Sequence, residues 1–208
     1  MHSFVRAFVV RCLAGMSLCL LSISAVNAGS GAGSKAQIVI NPGFESPYIP
    51  VLPSTGKSQI SGSIAQGWRD NSSWANVTVV YGEETVDIKA GHSAQSVMVK
   101  AVREGGVQFI QPFQVENNHT YVASLWVKGQ PGAQVSAAIR QNGAPYTTYG
   151  DQLIVLNGKW QQMRFQATAN AKTDGFFIIY PPTGSKILLD EAYIRDTNAT
   201  LNEAAKTR

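Results

Sequence analysis

The sequence has 208 residues, which is ample for one domain with its own hydrophobic core. Its formal net charge is +4, from 17 Lys and Arg residues against 13 Asp and Glu residues. Two of the basic residues, Arg6 and Arg11, belong to a predicted signal peptide, so the rest of the chain is close to neutral. It has no Lys/Arg cluster of the kind a nucleic-acid-binding surface needs, and we therefore expect no nucleic-acid partner.

The first 28 residues have the pattern of a secretory signal peptide. Two arginines form a positively charged start, residues 12–26 are mostly apolar, and Ala28 closes a cleavage site of small residues. The apolar stretch is short for a membrane span, and no later stretch is apolar enough to cross a bilayer. We predict cleavage near Ala28, a flexible linker over residues 29–36, and a protein that is secreted, periplasmic or held at the cell surface.

Both cysteines, Cys12 and Cys19, lie in this predicted signal peptide. The exported domain would therefore contain no cysteine, and its core alone must stabilise it. Leu18 stands where a lipoprotein cleavage site has a small residue, so the pattern favours cleavage near Ala28 over a lipid anchor at Cys19.

From residue 37 onward, apolar and polar residues alternate with period two, and turn residues separate the alternating stretches. This pattern is typical of β-strands and shows neither an internal repeat nor a βαβ unit. We predict an all-β fold, a β-sandwich of the jelly-roll type, over residues 37–196, followed by a C-terminal tail over residues 197–208. The predicted strands are 37–41, 77–81, 93–102, 107–115, 120–128, 134–141, 152–156, 160–168, 175–180 and 186–195.

One long segment, residues 46–67, does not alternate. It is rich in Pro, Ser and Gly, and the sequence predicts an irregular loop there. Loops of this length in compact domains are usually either functional or disordered, and both alternatives stay open.

The alternation also predicts which side chains share a face of the sandwich. In the strand 120–128, the apolar residues Tyr121 to Val127 at odd positions point to the core, whereas Trp126 points outward. The same rule places Ile139 inside and Arg140 outside. The outer face is then polar, rich in amide and guanidinium groups, dotted with Trp and almost free of carboxylates.

This mixture suits a sugar. A pyranose ring stacks its apolar face on Trp or Tyr, and its hydroxyl groups both donate to and accept from amides and the guanidinium fork. The alternative is a plain solvated sheet face, with Trp126 or Trp160 covered by a loop. The predicted carbohydrate-binding residues are Trp74 and Trp126 as stacking platforms, with Gln108, Arg140 and Tyr146 as hydroxyl partners.

No group of residues indicates catalysis. Hydrolysis of a glycosidic bond usually needs two carboxyl groups that flank it, and Glu83, Glu84 and Asp87 are typical of a charged turn. His92 and His119 lack metal-binding spacing, and no serine lies in a nucleophile-elbow motif. We predict no catalytic residues and expect a binding protein rather than an enzyme.

Six motifs occur in the order NPGFE, GW, GHSAQSVMV, FIQPFQVENNHTYVASLWVKG, GKWQQMRFQAT and ILLDEAYI over residues 39–195. Together they resemble the carbohydrate-binding modules of the cellulase C type, the family 4, 9 and 22 group. The resemblance implies a galactose-binding-like jelly roll that recognises poly- or oligosaccharides, such as β-glucan or xylan, without catalysing a reaction. Association with glycoside hydrolases and an envelope adhesion or structural role are the alternatives, and no oligomeric state is indicated.

The resemblance further implies one structural calcium ion. Its ligands would be Glu45, backbone carbonyls near Gly91 and His92, and Asp190, because calcium prefers carboxylate and carbonyl oxygen. The alternative is that Glu45 caps a turn by accepting backbone N–H bonds.

Overall fold

The computed structural model describes residues 37–52, 54 and 56–198. The predicted signal peptide, the linker and residues 199–208 of the predicted tail lie outside the described residues. Because the described residues form no helix, none of them forms a membrane-spanning helix. They form twelve strands: β1 Tyr48–Pro50, β2 Gln59–Ala65, β3 Arg69–Asp70, β4 Asn76–Glu84, β5 Ala94–Glu104, β6 Phe109–Val115, β7 Thr120–Gly129, β8 Gln134–Gln141, β9 Thr148–Val155, β10 Gln161–Thr168, β11 Thr173–Tyr180 and β12 Ser185–Asp196.

The twelve strands form two sheets that face each other. The seven-stranded sheet has the order β1-β2-β4-β5-β12-β7-β10, and the five-stranded sheet has the order β3-β6-β11-β8-β9. Neighbouring strands are antiparallel except for β2 and β4, which are parallel. The prediction of an all-β sandwich is confirmed, and nine of the ten predicted strands each overlap a strand of the structure.

The predicted strand at residues 37–41 is wrong. Ile38 donates one backbone hydrogen bond to Ile194, at 3.0 Å, but no ladder follows. The side-chain amide of Gln111 instead binds both backbone groups of Ile40, with its oxygen 2.6 Å from Ile40 N and its nitrogen 2.7 Å from Ile40 O. Because a side chain satisfies these groups, the apolar stretch needs no strand partner.

The segment 46–67, predicted to be irregular, contains β1 and β2. At Gly62 in β2, φ is +94°, and a Cβ atom there would lie 1.8 Å from the carbonyl oxygen of Tyr81 in β4. The two parallel strands therefore approach at a point where only glycine fits. The buried amide of Gln95 joins the same strands, because it accepts from Ala65 N at 2.9 Å and donates to Gly82 O at 3.0 Å.

The core between the sheets is centred on aromatic side chains. Trp68 stacks on Phe109 with ring centroids 5.1 Å apart, and Phe44 lies 4.6 Å from Trp68. Tyr81 contacts Phe109 from the other sheet at 5.6 Å. Stacked and tilted pairs at these distances add to the stability that burial alone provides.

The face assignments are confirmed on the core side and incomplete on the outer side. Tyr121 to Val127 at odd positions, and Ile139, are buried in the core as predicted. The outer face of the five-stranded sheet, however, carries a second buried apolar cluster, in which Ile110, Ile178 and Ala138 are cross-strand neighbours. Phe176 completes this cluster, so the outer face has an apolar floor where a polar surface was predicted.

We expect Gly62→Ala to lower the free energy of unfolding by about 2 kcal/mol or more, because the added methyl group meets the Tyr81 carbonyl and the residue keeps a positive φ. Gly82→Ala is the matched control, since a Cβ atom at Gly82 meets nothing within 4 Å. Urea unfolding followed by tryptophan fluorescence measures both. Equal midpoints for the two variants would contradict the close approach of β2 and β4.

Candidate carbohydrate-binding site

A cleft of about 470 Å³ opens on the outer face of the five-stranded sheet. It lies where the β3–β4 loop and the β8–β9 turn border that face. Four of the five predicted carbohydrate-binding residues meet in it. The lining residues are Asn71, Trp74, Gln108, Arg140, Asn142, Tyr146 and Phe176.

Trp74 is held in place on the β3–β4 loop although 60% of it is exposed. Its indole Nε1 donates to the carbonyl oxygen of Asn71 at 2.8 Å. Gly105 lies directly against the ring, since a Cβ atom there would come within 2.5 Å of Cζ3. An exposed aromatic ring with a fixed orientation is a suitable surface for stacking.

A hydrogen-bond network beneath Trp74 fixes the loop. The carboxylate of Asp70 accepts from the hydroxyl groups of Tyr81, at 2.6 Å, and Ser72, at 2.7 Å. The Ser72 hydroxyl in turn accepts from the backbone N–H of Gln108, at 2.8 Å. Burial, together with the charge of Asp70, raises the pKa of Tyr81 well above its ordinary value, so the phenol remains a donor.

The amide groups of Asn71 and Gln108 form a pair at the centre of the cleft. Asn71 Nδ2 donates to Gln108 Oε1 at 2.8 Å, and Asn71 N donates to Gln108 O at 2.9 Å. Gln108 is only 7% exposed, so its orientation is set by the protein. With its oxygen bound to Asn71, Gln108 has its NH₂ group available for a ligand.

Arg140 and Tyr146 form the opposite side of the cleft. The Arg140 guanidinium lies over the Tyr146 ring, with Cζ 5.4 Å from the ring centroid, and its Nη1 is 3.5 Å from the Tyr180 hydroxyl. Tyr146 is 57% exposed and has a φ of 61°, a conformation that costs a non-glycine residue about 1 kcal/mol or more. Burial raises the pKa of Tyr180, which therefore stays protonated.

A second cleft of about 450 Å³ continues across the same face. It shares Asn71, Asn142 and Phe176 with the first cleft, so the two form one open groove over the five-stranded sheet. Arg69 and Asp174 also line the second cleft. Such a groove can accommodate several units of a chain rather than one enclosed small molecule.

The model of a carbohydrate-binding domain family, CBM_4_9, matches residues 36–184. The chain belongs to this family. A CBM4 module has a similar fold, with a TM-score of 0.54 and 17% sequence identity over 76% of this chain and 99% of that one. A protein from Bacteroides thetaiotaomicron described as sugar-binding is similar at a TM-score of 0.51 and 11% identity, over 77% of this chain and 100% of that one. No match was found among curated protein sequences.

Membership of this family identifies the chain as a carbohydrate-binding, non-catalytic module. The sandwich and the groove are compatible with this function, because the groove combines exposed aromatic rings with amides and a guanidinium. Two acids at the β4–β5 turn form ion pairs with lysines. Glu84 pairs with Lys186 at 2.8 Å, and Asp87 pairs with Lys128 at 2.5 Å.

Trp126, the fifth predicted carbohydrate-binding residue, does not line the cleft that contains the other four. It is on β7, on the outer face of the seven-stranded sheet, where the Lys89 ammonium lies 4.2 Å from its ring centroid. Trp160 is nearby, and its Nε1 donates to Asp87 of the same loop at 3.2 Å. The structure thus matches the alternative in which the β4–β5 loop covers these tryptophans. The sequence could not separate Trp126 from the other four residues, because alternation gives the face within one sheet but does not say which sheet carries the cleft.

The four candidate calcium ligands of the carbohydrate-binding domain lie around the β4–β5 loop. His92 N donates to Glu45 Oε1 at 2.8 Å, and Gly91 has a φ of +66° with no room for a Cβ atom beside that carboxylate. Lys89 N, at 2.9 Å, and Ala90 N, at 3.1 Å, donate to Asp190 Oδ2. Glu45 and Asp190 therefore attach the loop to the first motif and to β12, and Glu45 accepts a backbone N–H as the turn-capping alternative requires.

The charges of these two carboxylates have no cationic partner among the ion pairs of the described residues. Asp190 is 0% exposed, and desolvation raises its pKa, an effect that the backbone N–H groups of Ala90 and Lys89 partly offset. In the described part of the chain, no three Asp, Glu, His or Cys side chains gather as metal ligands. The two negative carboxylates suit a hard cation such as calcium. The β4–β5 loop, however, directs backbone N–H groups rather than carbonyl oxygens at these carboxylates.

Sequence reasoning missed Asn71 and Asn142 in the groove and the Asp70 network beneath it. Asn71 lies in the stretch GWRDNSSWAN, whose mixture of Trp and amide residues could have indicated it. Asn142 follows β8 and donates its backbone N–H to Asp174 O at 2.9 Å. Nothing in the local sequence places Asn142 beside Asn71, because the two are 71 positions apart.

We expect Gly105→Ala to weaken glycan binding by displacing the Trp74 ring, since the new methyl group would overlap the indole. Gly106→Ala is the control, because a Cβ atom at Gly106 meets nothing within 4 Å. Calorimetric titration with the glycan that binds the unmodified protein measures the change, and a shift of the tryptophan emission reports the displaced ring. If both variants bind as tightly as the unmodified protein, Gly105 does not position Trp74.

Proposed function

We propose that the groove over the five-stranded sheet binds a poly- or oligosaccharide chain of the β-glucan or xylan kind, in an exported protein. The observation that carries this proposal is the meeting of two exposed, oriented aromatic rings, Trp74 and Tyr146, with amide and guanidinium groups in one open cleft. Export is proposed from the signal-peptide pattern of the first 28 residues.

The two rings would supply most of the binding energy. Large aromatic side chains are rarely left this exposed, and a sugar ring placed on Trp74 or Tyr146 would bury apolar surface on both partners. Phe176 lines the same cleft but is only 7% exposed, so Trp74 and Tyr146 would provide most of the apolar contact.

The amides would select and orient the hydroxyl groups. Asn71, Gln108 and Asn142 each offer donors and an acceptor, which matches the dual character of a sugar hydroxyl. The Asp70 network holds Asn71 and Gln108 in place before the ligand arrives, so less conformational entropy is lost on binding.

We expect Trp74→Ala and Tyr146→Ala each to weaken glycan binding about tenfold or more, because loss of an aromatic anchor at a binding centre commonly costs about 2 kcal/mol. A glycan array identifies the ligand, and calorimetry measures its affinity for each variant. Trp126→Ala serves as the matched control, since this ring lies on the other sheet beneath Lys89.

Two outcomes of these affinity measurements would contradict glycan binding in the groove. Loss of affinity in Trp126→Ala alone would move the site to the seven-stranded sheet. Unchanged affinity in both Trp74→Ala and Tyr146→Ala, with thermal melting as the check on folding, would remove the groove from consideration.

Calcium at the β4–β5 loop is the second part of the proposal. Its support is the negative charge of Glu45 and Asp190, which no ion pair among the described residues compensates and which both lie at one loop. The resemblance to modules that often hold a structural calcium ion also supports it. The ion would connect the first motif to β12 through the carboxylates, and the sugar-binding groove would not contact it.

We expect the melting temperature to fall when a chelator is added and to recover with excess calcium. A ligand at a hundredfold excess over its dissociation constant stabilises the native state by roughly 3 kcal/mol. In Glu45→Gln, the amide oxygen can still accept from His92 N–H, so capping survives while the charge is lost. A chelator effect in the unmodified protein that disappears in Glu45→Gln supports calcium. No chelator effect in the unmodified protein contradicts it and leaves Glu45 as a turn cap.

A further inference from the structure

Among the seven described residues that line the first cleft, Arg140 alone carries a charge. We propose that the groove selects a mostly neutral glycan chain that bears an occasional uronic acid, and that Arg140 binds the uronate carboxylate. This inference rests on the proposed function of the groove and specifies its ligand class.

No ion pair among the described residues compensates the positive charge of Arg140. The ion pairs of the described residues use Lys57, Lys128, Lys172, Lys186 and His119, but not Arg140. The Arg140 Nε atom is buried and has no hydrogen-bond partner among the described residues. Buried donors in native proteins are nearly always satisfied by protein or water, so this donor needs a partner that the described residues do not supply.

The position of Arg140 suits a carboxylate. Stacking on Tyr146 and the 3.5 Å contact with the Tyr180 hydroxyl restrict the plane of the guanidinium. A planar guanidinium binds a carboxylate through two parallel N–H···O bonds, which a lysine ammonium cannot reproduce. Because Tyr146 is itself a proposed stacking surface, the carboxylate would sit beside a bound sugar ring.

A neutral sugar hydroxyl would stabilise the Arg140 guanidinium less than a carboxylate would. A glycan that covers the cleft removes water from the guanidinium, and this desolvation is costly unless an opposite charge replaces the water. A hydroxyl accepts a hydrogen bond but supplies no charge, whereas a uronate supplies both. The three amides of the cleft, Asn71, Gln108 and Asn142, already provide for neutral hydroxyls.

Two acids on the same face limit where a carboxylate can bind. Asp151 on β9 is the cross-strand neighbour of Ala138, and Asp174 lines the second cleft, where Gln114 donates to it. Neither carboxylate lies within 4 Å of an Arg140 nitrogen as an ion pair among the described residues. A chain with a carboxylate on every sugar would bring like charges against both acids, so an occasional uronate fits better than a polyuronate.

The test uses a matched pair of ligands. The first is a xylo-oligosaccharide with one glucuronic acid side group, and the second is the same oligosaccharide with its carboxyl group reduced to a primary alcohol. Oligogalacturonate is the fully charged comparison. We expect the uronate-bearing oligosaccharide to bind about tenfold or more tightly than its reduced form, the size of one hydrogen bond to a charged group. We expect oligogalacturonate to bind more weakly than the singly charged ligand.

Three variants distinguish recognition of the carboxylate by the guanidinium fork from an effect of local charge and from an effect of net charge. Arg140→Gln should abolish the preference for the uronate, so that the uronate-bearing and the reduced oligosaccharide bind this variant with equal affinity. Arg140→Lys should keep part of the preference, because the charge remains but the fork is lost. Arg164→Gln, an exposed cation on β10 of the other sheet, should change nothing and controls for net charge.

The inference and the proposed function fail in different ways. If the reduced oligosaccharide binds as tightly as the uronate, and Arg140→Gln leaves their ratio unchanged, the uronate preference is wrong while glycan binding in the groove stands. If no neutral or acidic oligosaccharide on the array binds through Trp74 or Tyr146, the proposed groove fails, and this inference fails with it.

Discussion

The partly buried carboxylate of Asp70 attaches the loop that carries Trp74 to the rest of the sandwich. It accepts hydrogen bonds from Tyr81 in the seven-stranded sheet and from Ser72 in the loop, and Ser72 continues to the backbone of Gln108 next to β6. One acid thus connects both sheets to the loop. The groove depends on this connection, because a loop without it would leave the indole free to turn and would lose the preorganisation that makes binding inexpensive in entropy.

The five-stranded sheet, which carries the groove, has buried apolar side chains on both faces. Phe109 and Ile139 point to the core, while Ile110 and Phe176 form the cluster on the outer face. A sheet that is covered only on one side would ordinarily have a polar outer face. The cluster itself is buried, and the exposed aromatic rings of the cleft beside it are Trp74 and Tyr146.

Trp126 and Trp74 lie on the outer faces of different sheets, and they differ in how far neighbouring residues cover them. Trp126 lies beneath the ammonium of Lys89, and the β4–β5 loop that carries this lysine is attached through Asp190. Trp74 packs against Gly105, and 60% of it is exposed. The residue type is the same, and the neighbouring segment decides whether the ring stabilises the domain or is available to a ligand.

The sequence by itself determined the all-β fold, the inward residues of most strands and the chemistry of the site, because period-two alternation and residue type are local properties. It also indicated Trp74, Gln108, Arg140 and Tyr146. Only the tertiary structure separated these four from Trp126, since pairing between distant strands decides which outer face carries a cleft. The strand β2 was missed for a related reason: its parallel pairing with β4 depends on a close approach at Gly62, which no periodicity encodes.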